Sequence, residues 1–273
     1  MVDKSEKFNW FVRLGFFSRA ILYSLVGIIA LTSASKIAEG TNGVFRAIED
    51  FPLGSVILWL MVFGLAAYGL FRLASFAFDI ENHGSDAKGW GKRLGHAGSG
   101  IGHFALAFSA FQFANSGSGG SGGSSGGSGG GAQEAASGVL SVEFGGIVLG
   151  ILGIAFFIAA ANQAKKGVTA SFMNRIAGSA PSYTKTVGRI GYLARAVVFG
   201  VIGWSVFSAG FLSGGSDQVK TLGDAVASLA GNGIIFTLVA LGMLAFGILS
   251  LILARYRIIP DMGSDGKVPS FRT

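Results

Sequence analysis

The sequence predicts an all-α integral membrane protein with six transmembrane helices, and three observations carry that reading. Of the 273 residues, 51% are hydrophobic and 13% charged, whereas soluble domains average about 25% charged residues. Six mainly apolar runs, at 14–35, 52–76, 94–115, 144–164, 190–212 and 234–254, match the length of about 20 residues that spans the hydrocarbon core. One opening signature recurs before three of them: Arg13-Leu14-Gly15, Arg93-Leu94-Gly95 and Arg189-Ile190-Gly191.

The first run follows Lys4, Lys7 and Arg13 and ends in small residues, the outline of a secretory signal. The same kind of segment recurs twice internally, so it is read as a retained first helix, preceded by a cytoplasmic segment 1–12. Lys and Arg then set the orientation. The N-terminus, the second and fourth loops and the C-terminus hold 15 of the 21 basic residues, against Lys36, Arg46 and Lys220 in the opposite loops. That asymmetry places both termini in the cytoplasm. Trp10 and Trp90, just before their runs, fit interfacial anchors.

The outer loops differ in kind. Val44, Ile48 and Phe51, and again Leu222, Val226 and Leu229, recur at helical spacing and predict short interfacial helices. Pro52 is expected at the first position of the second span, where its missing N–H costs nothing. Residues 116–131 are only Gly and Ser, a flexible-coil composition. Their chance match to the nucleophile-elbow spacing lacks the strand-to-helix turn that gives that pattern meaning. In the middle repeat the helical piece, about 133–142, is weaker. Residues 258–273 read as a polar cytoplasmic tail.

The opening arginines are offset by 80 and then 96 positions, the excess falling on the Gly/Ser insertion. Repeat 1 covers 13–80, repeat 2 covers 93–165 and repeat 3 covers 189–257. Two spans per unit give all three the same orientation, so they are parallel repeats about an axis along the membrane normal. The expected architecture is a pseudo-threefold six-helix bundle.

The Arg-Leu/Ile-Gly openings, Phe51-Pro52-Leu53-Gly54, Ala67-Tyr68-Gly69-Leu70 and Ala254-Arg255-Tyr256-Arg257 resemble the bacterial membrane family known as domain of unknown function 1206. The resemblance spans roughly residues 10–259 and implies three tandem two-helix units in a bacterial plasma (inner) membrane. It implies no activity. The middle repeat departs most, lacking the second Arg and the Pro-x-Gly.

Candidate chemistry lies on one face of the odd-numbered spans, at positions three and seven residues apart. That face carries Phe16, Arg19 and Tyr23 in repeat 1 and Tyr192, Arg195 and Phe199 in repeat 3. Repeat 2 has His96, Ser99 and His103, a candidate intramembrane polar face. Arg19 and Arg195 fall about 9 Å inside the opening arginines. Either they snorkel to the cytoplasmic headgroups or they form an anion or lipid site to which Arg72 and Gln163 contribute. His103, about 15 Å along its helix from Arg93, is read as a packing histidine, with proton or ligand handling as the sharper alternative. Gly98 with Gly102, Gly146 with Gly150, and Gly200 with Gly203 predict close helix contacts.

The exclusions are broad. With no cysteine, disulfides, thiolate catalysis and cysteine-ligated metal centres are ruled out. His96 and His103 lie too far apart on one helix to grip one iron from both sides, so neither metal nor cofactor is expected. The net charge of +7 sits at the ends of apolar runs rather than on a soluble patch, so nucleic acid is not an expected partner. The lipid bilayer is, with anionic lipid a candidate; no protein partner is named by the sequence. No catalytic set emerges. The function expected is a non-enzymatic scaffold, accessory or lipid-binding membrane protein, with a small transporter or channel along the pseudo-threefold axis as the alternative.

Overall fold

The structure is a computed structural model. It describes residues 4–32, 45–46, 48–49, 53–80, 83–116, 133, 136–212 and 214–259. Val44, Phe51, Pro52, most of the Gly/Ser tract and residues 260–273 of the tail lie outside these. The main helices are α1 Lys4–Thr32, α2 Gly54–Phe78, α3 Ala87–Ser116, α4 Gly145–Thr169, α5 Thr184–Phe211, α6 Leu222–Ala227 and α7 Gly233–Tyr256. Among the described residues there is no strand, only one isolated antiparallel bridge between Ile176 and Arg257.

The long helices form because in hydrocarbon the backbone must satisfy its own hydrogen bonds, and their interiors contain no proline. Five of them are long and apolar enough to cross a membrane: Val12–Thr32 within α1, then α2, α4, α5 and α7. The chain is thus a multi-pass membrane protein by length and composition. The expected span at 94–115 is not among the five. It lies within α3, whose glycines, His96, Ser99, His103 and Gln112 dilute its apolar content.

Helix ends follow identifiable rules. α2 begins at Gly54, two residues after Pro52, behind Leu53 in a left-handed conformation (φ 66°). Phe144-Gly145 repeats this at the start of α4, Phe144 also having φ 66°. In both places the glycine is pressed against a preceding carbonyl, Ile48 or Val139, where a Cβ would not fit. α6 stands where helical spacing predicted a helix. Its capping box pairs Thr221 with Asp224, and Val226 packs fully buried. Ile48, from the first predicted outer helix, is also fully buried.

The packing order is α3–α2–α1–α7–α5–α4. α3 runs antiparallel along α2, from Trp90 beside Phe76 (6.2 Å between centroids) to Phe111 beside Trp59 (5.6 Å). α1 and α7 approach closely at Gly27, where an added Cβ would lie 2.7 Å from the backbone nitrogen of Leu244. Among the described residues α3 and α4 do not pack along one another. The glycine expectations divide accordingly. Gly146 and Gly150 pack against α5, and Gly203 against α4, whereas a Cβ built at Gly98, Gly102 or Gly200 meets no described atom within 4 Å. Those three make no close helix contact.

Candidate functional site

Each opening arginine reaches the last turn of the helix that follows its own in the packing order, the second long helix of another repeat. Arg13 donates through Nη1 to the Ala254 carbonyl of α7 at 2.8 Å, and also to that of Arg255. Arg93 donates through Nε to Phe76 at 2.9 Å and through Nη2 to Ala77 of α2 at 3.1 Å. Arg189 donates through Nη2 to Val168 of α4 at 3.1 Å. The last carbonyls of a helix lack intrahelical donors and carry its negative dipole end, so a guanidinium suits them on both counts.

One and a half turns deeper, Arg19 and Arg195 converge from α1 and α5 on the ring of Phe246 in α7. Their guanidinium carbons lie 5.1 and 4.4 Å from its centroid. Arg19 is also over Phe16 (5.4 Å) and Tyr68 (4.8 Å), and its Nη1 donates to the Tyr68 hydroxyl at 2.7 Å. Arg195 is also over Tyr23 (5.1 Å) and Phe199 (4.7 Å). The two aromatic–polar–aromatic faces read from the sequence therefore meet, with Phe246 between them.

Arg19 is 7% exposed, and the Nε groups of both Arg19 and Arg195 are buried without a hydrogen-bond partner. A cation over a ring contributes about 0.5–2 kcal/mol, while removing a charge from water costs several kcal/mol. The rings and the phenol offset much of that cost for Arg19. They leave both Nε hydrogens and two like charges unanswered by any carboxylate among the described residues.

Arg72 joins from α2, 5.8 Å from the Tyr68 centroid, and its Nε donates to the Ser99 hydroxyl at 3.4 Å. His103 packs on the same tyrosine, 4.6 Å between centroids. Its Nδ1 lies 2.6 Å from the Ser99 carbonyl, an acceptor only, so Nδ1 carries a proton and donates it there. Ser99 and His103 thus border the arginine cluster. His96 does not. It stacks on His83 with Nε2 atoms 3.1 Å apart and planes 5° from parallel. Gln163 is on α4, its Oε1 buried without a hydrogen-bond partner, and among the described residues no hydrogen bond joins it to the arginines. Nor do any three of His, Asp and Glu among those residues come together as a metal site would require.

Sequence reasoning missed three participants. Tyr68 and Phe246 sit on α2 and α7, the second long helices of their repeats, outside the face that the first helices share. His83 reads as a loop residue, and no periodicity links it to His96. The conversion of the opening arginines from charge markers into helix caps needed the partner helix ends.

The model of the family described as Domain of Unknown Function (DUF1206) matches residues 14–75, 94–170 and 190–257, one segment for each pair of long helices. The chain is similar to the "Uncharacterized protein YxxB" of Bacillus subtilis (strain 168), with 28% identity over 267 residues, covering 93% of this chain and 94% of that protein. No solved structure matches.

Proposed function

The chain belongs to the Domain of Unknown Function (DUF1206) family, and from that premise we propose that it is a six-span, non-enzymatic membrane protein that binds an anionic group on the cytoplasmic side. The observation that carries this is the pair Arg19 and Arg195, gathered around Phe246 with both Nε groups buried and unpartnered. A carboxylate or phosphate accepting from these donors would satisfy both orphans and the like charges together. No enzyme chemistry is needed to account for the arrangement.

The sixth span is α3. Its 30 residues extend about 45 Å, it follows α2 from end to end, and Leu94, Ile101 and Phe108 form an exposed apolar stripe along it. The three arginine caps and the alternation of helices in the packing order support a pseudo-threefold arrangement. With six spans and the observed bias of basic residues, both termini lie in the cytoplasm of a bacterial plasma membrane, and α6 lies on the outer interface. Buried Phe16, Tyr23, Phe246 and Met243 fill the space where the repeats meet, which favours binding over a conducting pathway.

Mild extraction followed by mass spectrometry of co-purifying lipid tests the reading. Anionic lipid should be enriched over zwitterionic lipid on the wild type and not on Arg19→Gln/Arg195→Gln. Equal lipid profiles for the two proteins would overturn it.

A further inference from the structure

In repeats 1 and 3 the first helix is seated on the second helix of its own repeat. Gly15 faces Tyr68 of α2, with an added Cβ 2.6 Å from the tyrosine Cβ. Ser18 donates to the Leu60 carbonyl at 3.3 Å. Gly191 faces Phe246 of α7, where a Cβ would lie 2.7 Å from the Cα, and Ala194 faces Gly242. Counting from the opening arginines, the equivalent residues of repeat 2 are Gly95 and Gly98, followed by Gly102 in the register of buried Leu22 and Val198. All three glycines are exposed, and no described atom lies within 4 Å of a Cβ built on any of them. Among the described residues, the seam closed in the other two repeats is open between α3 and α4.

Helical geometry says where this open seam leads. At about 100° per residue, the Gly95-Gly98-Gly102 stripe lies between two others on α3. On one side is the exposed Leu94-Ile101-Phe108 stripe. On the other is the inward face carrying Ser99 and His103, which border the arginine cluster. Across the seam α4 offers little bulk. Matching the Gly203 contact with the Gly153 carbonyl to that of Gly27 with the Ala240 carbonyl puts Ala159 in the register of Phe246. The middle repeat has small residues on both sides of the seam where its counterparts have a glycine and an aromatic ring.

We infer that the open seam between α3 and α4 is a lateral slot through which an acyl lipid with an anionic headgroup reaches Arg19 and Arg195, its chain lying on the glycine face of α3. This rests on the anion-site reading above and names the ligand class and its route. Charge complementarity selects the occupant. The slot is apolar and opens on the lipid-facing stripe, while its inner end borders two arginines whose Nε donors are buried and unpartnered. An occupant apolar along its length and anionic at one end fits both parts. A helix of a second copy would fill the glycine face but bring no acid, because the apolar runs of this sequence contain no Asp or Glu.

The test uses the full chain in nanodiscs of phosphatidylglycerol and phosphatidylcholine, with bound lipid read by native mass spectrometry. Wild type should retain phosphatidylglycerol, and excess inorganic phosphate should not displace it. Gly98→Leu/Gly102→Leu should lower that retention by about tenfold or more without lowering the melting temperature, since a Cβ at either position meets no described atom within 4 Å. Arg19→Gln/Arg195→Gln should lose the lipid as well. If the leucine variant binds phosphatidylglycerol like wild type, the slot is overturned and the arginine site stands. If wild type shows no preference for phosphatidylglycerol, the arginine site itself fails. Displacement by inorganic phosphate would identify a soluble anion as the ligand, and a disulfide-linked dimer of the Gly98→Cys variant would identify a second copy; either overturns the lipid.

Discussion

Arg13 on α1 donates to the carbonyl oxygen of Ala254, 241 positions later, and so ties the first long helix to the last turn of α7. The same tie joins Arg93 to α2 and Arg189 to α4. Three links of one kind tie the first long helix of each repeat, α1, α3 and α5, to the next helix in the packing order, α7, α2 and α4. The arginines read from the sequence as topology signals thus fasten the bundle.

Removing one link should cost stability without altering topology. Arg189→Gln loses an exposed charged donor to Val168 and should destabilise the protein by about 0.3–1 kcal/mol, read as a lower melting temperature in detergent. Lys185→Gln, one turn earlier and exposed, should leave it unchanged. Equal melting temperatures for the two variants would show that the link contributes nothing.

The glycines separate close seams from open ones. Gly191→Leu drives a side chain into the Phe246 backbone, where even a Cβ would sit at 2.7 Å, and should cost about 1–3 kcal/mol by overpacking. At Gly98 a Cβ meets no described atom within 4 Å, so Gly98→Leu should gain helix propensity of up to about 1 kcal/mol. Thermal unfolding of both variants checks the contrast, and a large loss at Gly98 would mean the seam is closed.

These two glycines also show what was legible in the sequence. Spacing located all six long helices and placed Arg19 and Arg195 on corresponding faces, because periodicity within a helix is local. Whether a glycine is a contact or a vacancy depends on the neighbouring helix, so Gly98 and Gly203 read alike and differ in space. Tyr68, Phe246 and the His83–His96 pair went unread for the same reason, since each acts on a helix with which it shares no period. The stretch at 94–115 is recognisable by its flanks and repeat position, while its composition falls outside what length and apolarity alone select.

Asp79 gives a pH dependence. It ends α2 in a left-handed conformation (φ 49°). Slight burial opposes its ionisation, but N–H bonds from His83 and Gly84, each 2.8 Å long, outweigh this together with nearby Arg93 and hold the carboxyl below its ordinary value of 3.8. A depressed carboxylate stabilises the fold above its unfolded pKa and loses that contribution as pH falls through the folded one. Asp79→Asn, which keeps a residue tolerant of this backbone, should therefore melt earlier than wild type at neutral pH. The difference should vanish in acid below 3.8; a difference independent of pH would contradict the charge-based account.

The sixth span can be settled by labelling, because the chain has no cysteine. Ser121→Cys lies in the Gly/Ser tract, outside the described residues. If α3 crosses the membrane, that thiol reacts with an impermeant maleimide on intact cells. Labelling only after lysis would leave five spans.

The central claim is that Arg19 and Arg195 are held ready for an anion. An experimental density map of the protein in a nanodisc containing phosphatidylglycerol tests it most directly. The account predicts anionic headgroup density within hydrogen-bonding distance of both Nε atoms, continuing as an acyl chain along Gly98 and Gly102. Guanidinium groups enclosed by aromatic rings and water alone, beside a closed α3–α4 seam, would contradict it.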